Sequence, residues 1–123
     1  MTTDPEHDRL VERVLGYLET RPEYHTIRTH LGEYPEPNPV NGEIPDITAF
    51  RDQRFVIFRA FTEPALRGPR FETESRAFAR SASFEHVRYH VIVPEKCGAD
   101  EGLEIARQRV AEIGIHVDNI WFV

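Results

Sequence analysis

Cysteine is nearly absent: Cys97 stands alone in 123 residues. One thiol cannot close an internal disulfide or build a cysteine-based zinc site, so packing must supply the stability. Long apolar runs are missing too. The longest, Phe55 to Phe58 and Ile120 to Val123, are four residues each, against roughly 20 for a membrane-spanning helix. No membrane partner is expected. The opening Met-Thr-Thr-Asp-Pro-Glu puts acid and proline where a secretory leader needs a basic start and an apolar stretch, so a cytoplasmic protein is expected. There is no phosphate-cradling glycine loop, nucleophile elbow or recognisable cysteine–histidine motif, and no internal repeat or low-complexity tract. These absences remove most enzyme classes that announce themselves by motif.

What is present reads as one globular domain over residues 1–123, with 40% apolar residues, 29% charged and 9 prolines. The formal charge of −6 argues against a generally basic nucleic-acid binder. It is unevenly spread, however. Residues 51–90 hold eight arginines against five acids, so this stretch is +3 and the remainder −9.

Asp4-Pro5-Glu6 has the chemistry of a helix start, and Leu10, Val11, Val14, Leu15 and Leu18 then repeat at helical spacing as far as Arg21-Pro22. Residues 24–31 read as a strand ended by Gly32, followed by a turn-rich loop through Pro35, Pro37, Pro39 and Asn41-Gly42. Residues 43–50 and 54–61 suit an antiparallel hairpin, and the unbroken Phe55–Phe58 run marks a strand buried on both faces. Phe71, Ser75, Phe78 and Ala82 fall at helical spacing. Residues 87–93 read as a strand, 99–113 as a helix stopped by Gly114, and 117–123 as a last strand. The order implies an antiparallel meander joined to parallel strands: a mixed five-stranded α/β sheet flanked by about three helices.

Pro45-Asp46 gains meaning from its partner strand, because in a hairpin turning near Asp52 the residue opposite Asp46 is Phe58 or Arg59. The element order, the segment from Gly42 to Ala49 and the segment His90-Val91-Ile92-Val93-Pro94 resemble the restriction-endonuclease-like PD-(D/E)XK superfamily over roughly residues 5–123. That resemblance implies a small restriction-endonuclease-like domain in which the Pro-Asp acid opens one strand. An acid-x-lysine triplet on the next strand would complete a magnesium site for phosphodiester cleavage.

The second motif departs from the family pattern. Aligning Val56 to Thr62 with it puts Arg59 at the acid's position and Phe61 at the lysine's. A guanidinium has no acceptor and cannot ligate Mg²⁺, so an Asp46–Arg59 ion pair is expected in place of the metal. The remnant site is then Asp46, Arg59 and Phe61, with no cofactor expected. A migrated site is the enzymatic alternative, with Mg²⁺ or Mn²⁺ held by Asp46 and an acid from Glu12, Glu19, Glu63, Glu72 or Glu74. The plain reading of those glutamates is solvated helix surface.

Six histidines give no zinc signature: His25 and His30 fall on opposite faces of a presumed strand, and His86 and His90 lie two pleats apart. His90 reads as a hydrogen-bonded structural residue. Arg67, Arg70, Arg76 and Arg80, with Phe71 and Phe78 between them, are the candidate nucleic-acid contacts, interrupted by Glu72 and Glu74. Trp121, Phe122 and the loop from Tyr34 to Pro39 either pack internally or form a homodimer contact. Three functions follow: a catalytically degenerate nuclease-like module binding nucleic acid or protein, a metal-dependent nuclease with a migrated site, or a homo-oligomeric structural or regulatory protein.

Overall fold

The computed structural model describes residues 4–123; the first three, on which the leader argument partly rests, lie outside them. Helix α1 (Pro5–Glu19) starts where Asp4 accepts from the backbone N–H groups of Glu6 and His7, and Pro5 occupies a position that needs no donor. Its stripe of Leu10, Val11, Val14, Leu15 and Leu18 is buried. Strands β1 (Tyr24–Thr29), β2 (Ile47–Arg51) and β3 (Arg54–Ala60) form the antiparallel meander. Helices α2 (Glu63–Arg67) and α3 (Pro69–Ser81) lead to β4 (Val87–Val93), parallel to β3. A small hairpin, β5 (Lys96–Cys97) with β6 (Asp100–Glu101), precedes α4 (Gly102–Ile113) and β7 (Asn119–Phe122), parallel to β4. The sheet order is β1-β2-β3-β4-β7, a five-stranded mixed sheet.

Its two faces bury different cores. On one, α1 packs on Ile47, Ala49, Val56, Phe58, Ala60 and Ile92. On the other, Leu66, Phe71, Phe78, Ile105 and Ala106 of α2, α3 and α4 cover Ile57, Tyr89, Val91 and Val93. Buried on both sides, β3 has the continuous apolar run that a central strand requires. Among the described residues no helix is long and apolar enough to cross a membrane.

Several boundaries differ from the sequence reading. Among the described residues four helices stand in place of about three, because the chain breaks at Gly68 before Pro69, which has no N–H to continue α2. The β1 strand carries a bulge between His25 and Arg28 with Thr26 at φ 56°, so its alternation is broken, and His30 lies beyond its end. The acid of Asp46 comes just before β2, which begins at Ile47 rather than at residue 43. The β5–β6 hairpin takes the residues assigned to the start of α4. Trp121 packs against the α1-side core, whereas Phe122 is exposed.

Candidate functional site

The hairpin register pairs Ile47 with Phe58, so one step further sets Asp46 against Arg59. The chain reaches that point through the Asn41-Gly42 turn, both residues at positive φ, and Pro45. Asp46 is then clamped. Its N–H donates to the Phe58 carbonyl at 2.9 Å, and its carbonyl accepts the Thr29 hydroxyl at 2.8 Å. One carboxylate oxygen, Oδ2, accepts the Ala60 N–H at 2.7 Å. The other, Oδ1, accepts from Arg59 Nη1 at 3.1 Å and lies 2.8 Å from His7 Nε2. The expected Asp46–Arg59 ion pair is present.

Arg59 also reaches the other way, to Glu74 Oε1 at 2.7 Å. Glu74 is only 3% exposed although it lies on the polar-looking α3, where solvated surface was the plain expectation. Its second oxygen holds Arg70 Nε at 3.2 Å, and Arg70 Nη2 lies 3.5 Å from Glu43. The result is a chain of alternating charge, His7–Asp46–Arg59–Glu74–Arg70–Glu43. Coulomb attraction is strong in such a partly desolvated place and offsets the cost of burying the two carboxylates. The Arg59 Nε–H is buried without an acceptor among the described residues. Hydrogen bonding to Asp46 holds the His7 pKa above its usual 6.5, against the opposing pull of burial and of Arg59.

These groups line a cleft of about 720 Å³ at the carboxyl end of β3. Six carboxylates border it, from Asp4, Asp8, Glu36, Glu43, Asp46 and Glu74, against the guanidiniums of Arg59 and Arg70. The proline loop forms one wall, through Pro37 and Pro39. Magnesium, which the resemblance implies, does not fit this donor set. Asp46 is committed to three donors, a permanent cation sits between it and Glu74, and among the described residues no group of three His, Cys, Asp or Glu side chains is placed to hold a metal ion. Phe61 lies in the core, stacked on Phe71 at 4.9 Å, and presents nothing to the cleft.

Of the acids considered for a migrated site, Glu74 alone joins Asp46. Glu12 is exposed, Glu19 accepts the Tyr34 hydroxyl, Glu63 pairs with Arg67, and Glu72 pairs with Arg76. Three of the four arginines of α2 and α3 are engaged in ion pairs. Arg67 is held by Glu63 and Asp100, Arg70 by Glu74 and Glu43, and Arg76 by Glu72; Arg80 makes no ion pair among the described residues. His90 is hydrogen-bonded and buried, its Nδ1 accepting from Trp121 Nε1 at 3.0 Å.

His7 and Glu43 went unread in the sequence. The signal for His7 existed, since it lies three, four and seven residues before Leu10, Val11 and Val14 and so shares their inward stripe. Glu43 had none, because its contact with Arg70 of α3 joins parts of the chain 27 residues apart. Neither a family model, a curated protein nor a solved structure matches the chain.

Proposed function

We propose that this chain is a catalytically inactive, restriction-endonuclease-like domain that acts as a protein-binding module and takes a basic segment of its partner in the acidic cleft. The observation that carries this reading is the Arg59 guanidinium held between the carboxylates of Asp46 and Glu74, where a divalent ion would have to sit. The element order supports it. A helix, a meander with Asp46 at the entry to its second strand, and a return to a strand parallel to the third are what the resemblance implies. The excess of carboxylates around the cleft favours lysine or arginine side chains over a phosphate backbone.

A metal-dependent nuclease is the second reading, favoured by one observation: Glu74 is brought within one guanidinium of Asp46. Manganese calorimetry separates the two. The wild type is expected to bind no Mn²⁺, whereas Arg59→Ala, left with two buried carboxylates that have lost the cation between them, loses about 3 kcal/mol and regains its melting temperature when Mn²⁺ is added. Wild-type Mn²⁺ binding that disappears in Asp46→Asn replaces the inactive-module reading with the nuclease one. For the partner, the anisotropy of labelled lysine- and arginine-rich peptides should report binding that weakens several-fold in Glu43→Gln. Peptide affinity unchanged by that substitution removes the cleft from the interaction.

A further inference from the structure

A second cleft lies at the opposite end of the sheet, and its chemistry is reversed. On the face that α1 covers, the core is continued beyond the helix by polar side chains instead of apolar ones. Tyr24 of β1, Arg51 of β2, Arg54 of β3, Arg88 and His90 of β4, and Asn119 of β7 border about 290 Å³ at the amino ends of the parallel strands. Every strand of the sheet contributes to it.

Two features of this cleft suit a ligand. First, Arg51 and Arg54 are direct cross-strand partners, and like charges placed opposite each other destabilise a hairpin. Neither forms an ion pair among the described residues; Arg51 lies over the Tyr24 ring at 5.8 Å, and Arg54 is exposed. Arg88 donates from Nη1 to the Glu85 and Val87 carbonyls and lies 3.8 Å through Nε from Asp118, so Nη2 is the part of it left for a ligand; Asp118 itself already accepts the Tyr89 N–H at 2.9 Å and meets His116 at 3.0 Å. Second, His90 is 7% exposed and lines the cleft. The indole of Trp121 has only a donor, so His90 Nδ1 must accept and the ring proton must sit on Nε2. Among the described residues that Nε2–H meets no acceptor, and it keeps some contact with solvent. Burial, reinforced by Arg51 and Arg88 against the opposing Asp118, pushes the His90 pKa down to about 4 and keeps the ring neutral at physiological pH.

We propose that this cleft binds a phosphate dianion, carried on a small phosphomonoester or as free phosphate, between the guanidiniums of Arg51, Arg54 and Arg88 with the His90 Nε2–H as a neutral donor. Three arginines against Asp118 leave the lining at +2, which matches the charge of the ligand. Planar guanidiniums are suited to bidentate contact with phosphate oxygens. A bound dianion relieves the Arg51–Arg54 repulsion. The size of the cleft admits a small ligand and not a folded segment of a macromolecule. The site is independent of the acidic cleft and of the reading given to it.

The test is calorimetry on the full chain with inorganic phosphate, phenyl phosphate and a single-stranded oligonucleotide. Phosphate or phenyl phosphate is expected to bind in the wild type and to lose at least tenfold in affinity, about 1.4 kcal/mol, in Arg54→Gln. Glu104→Gln, exposed on α4 and outside both clefts, should leave this affinity unchanged. Tighter binding of phenyl phosphate than of inorganic phosphate identifies a phosphomonoester as the ligand, and the reverse identifies free phosphate. Because Arg54 is exposed, its replacement should also raise the melting temperature of the ligand-free protein slightly. No binding of either probe, binding that survives in Arg54→Gln, or a preference for the oligonucleotide with a steep salt dependence would each overturn the proposal.

Discussion

His7 and His90 occupy opposite ends of the sheet and titrate in opposite senses. The folded protein binds a proton at His7 more tightly than the unfolded chain does, because Asp46 accepts from the ring. The stability from that pair is therefore complete below pH 6.5 and fades as the pH rises through the elevated folded value. His90 behaves in reverse. Below 6.5 the unfolded chain takes up a proton that the buried ring refuses until about 4, so stability falls across that interval by on the order of 3 kcal/mol. Melting temperatures measured from pH 4 to 9 should show His7→Gln removing part of the alkaline decline and His90→Gln removing part of the acid one. Curves that stay parallel to the wild type would show that neither ring is coupled to folding. Among single residues, Asp46 and Arg59 were legible beforehand, because an acid after proline and an arginine after an apolar run each ask for a partner and the hairpin supplies it. Glu74 was legible only as one of five acids, since nothing local distinguishes it from Glu72.

Elements with a strong period were readable from their spacing. Helix α1 has its apolar stripe, β3 its unbroken run, and α4 ends at Gly114, which takes the left-handed φ of 70° that a helix terminus favours. Short or interrupted elements were not readable. The two-residue strands β5 and β6 have no period to detect, the bulge at Thr26 breaks that of β1, and Gly68-Pro69 divides what spacing joins. The junction of the β5–β6 hairpin with α4 is the tightest of these places. A Cβ on Gly102 would stand 1.8 Å from the Pro94 carbonyl oxygen, so the end of β4 and the start of α4 touch backbone to backbone. Gly102→Ala should cost about 2–3 kcal/mol by forcing those segments apart, measured by urea denaturation. A change below 0.5 kcal/mol, the usual size for a surface site, would show that the junction yields freely.

Across the whole molecule the two clefts lie at opposite ends of β3, one rich in carboxylates and the other in guanidiniums. With a net charge of −6 and the arginines of α2 and α3 largely ion-paired, duplex DNA should bind weakly, and Arg76→Ala and Arg80→Ala should leave that affinity unchanged in a salt titration. DNA binding with a steep salt slope that collapses in those variants would count against the protein-module reading. The sequence by itself determined the sequence of main elements, the mixed character of the sheet and the meeting of Asp46 with Arg59, because these follow from periodicity and from a hairpin only a few residues long. Only the tertiary structure decided that α3 brings Glu74 beneath Arg59, that α1 brings His7 to Asp46, and that arginines from three strands share one face with a buried histidine. These groups meet through crossovers and through the stacking of helix on sheet, which act across tens of residues and leave no local pattern in the chain.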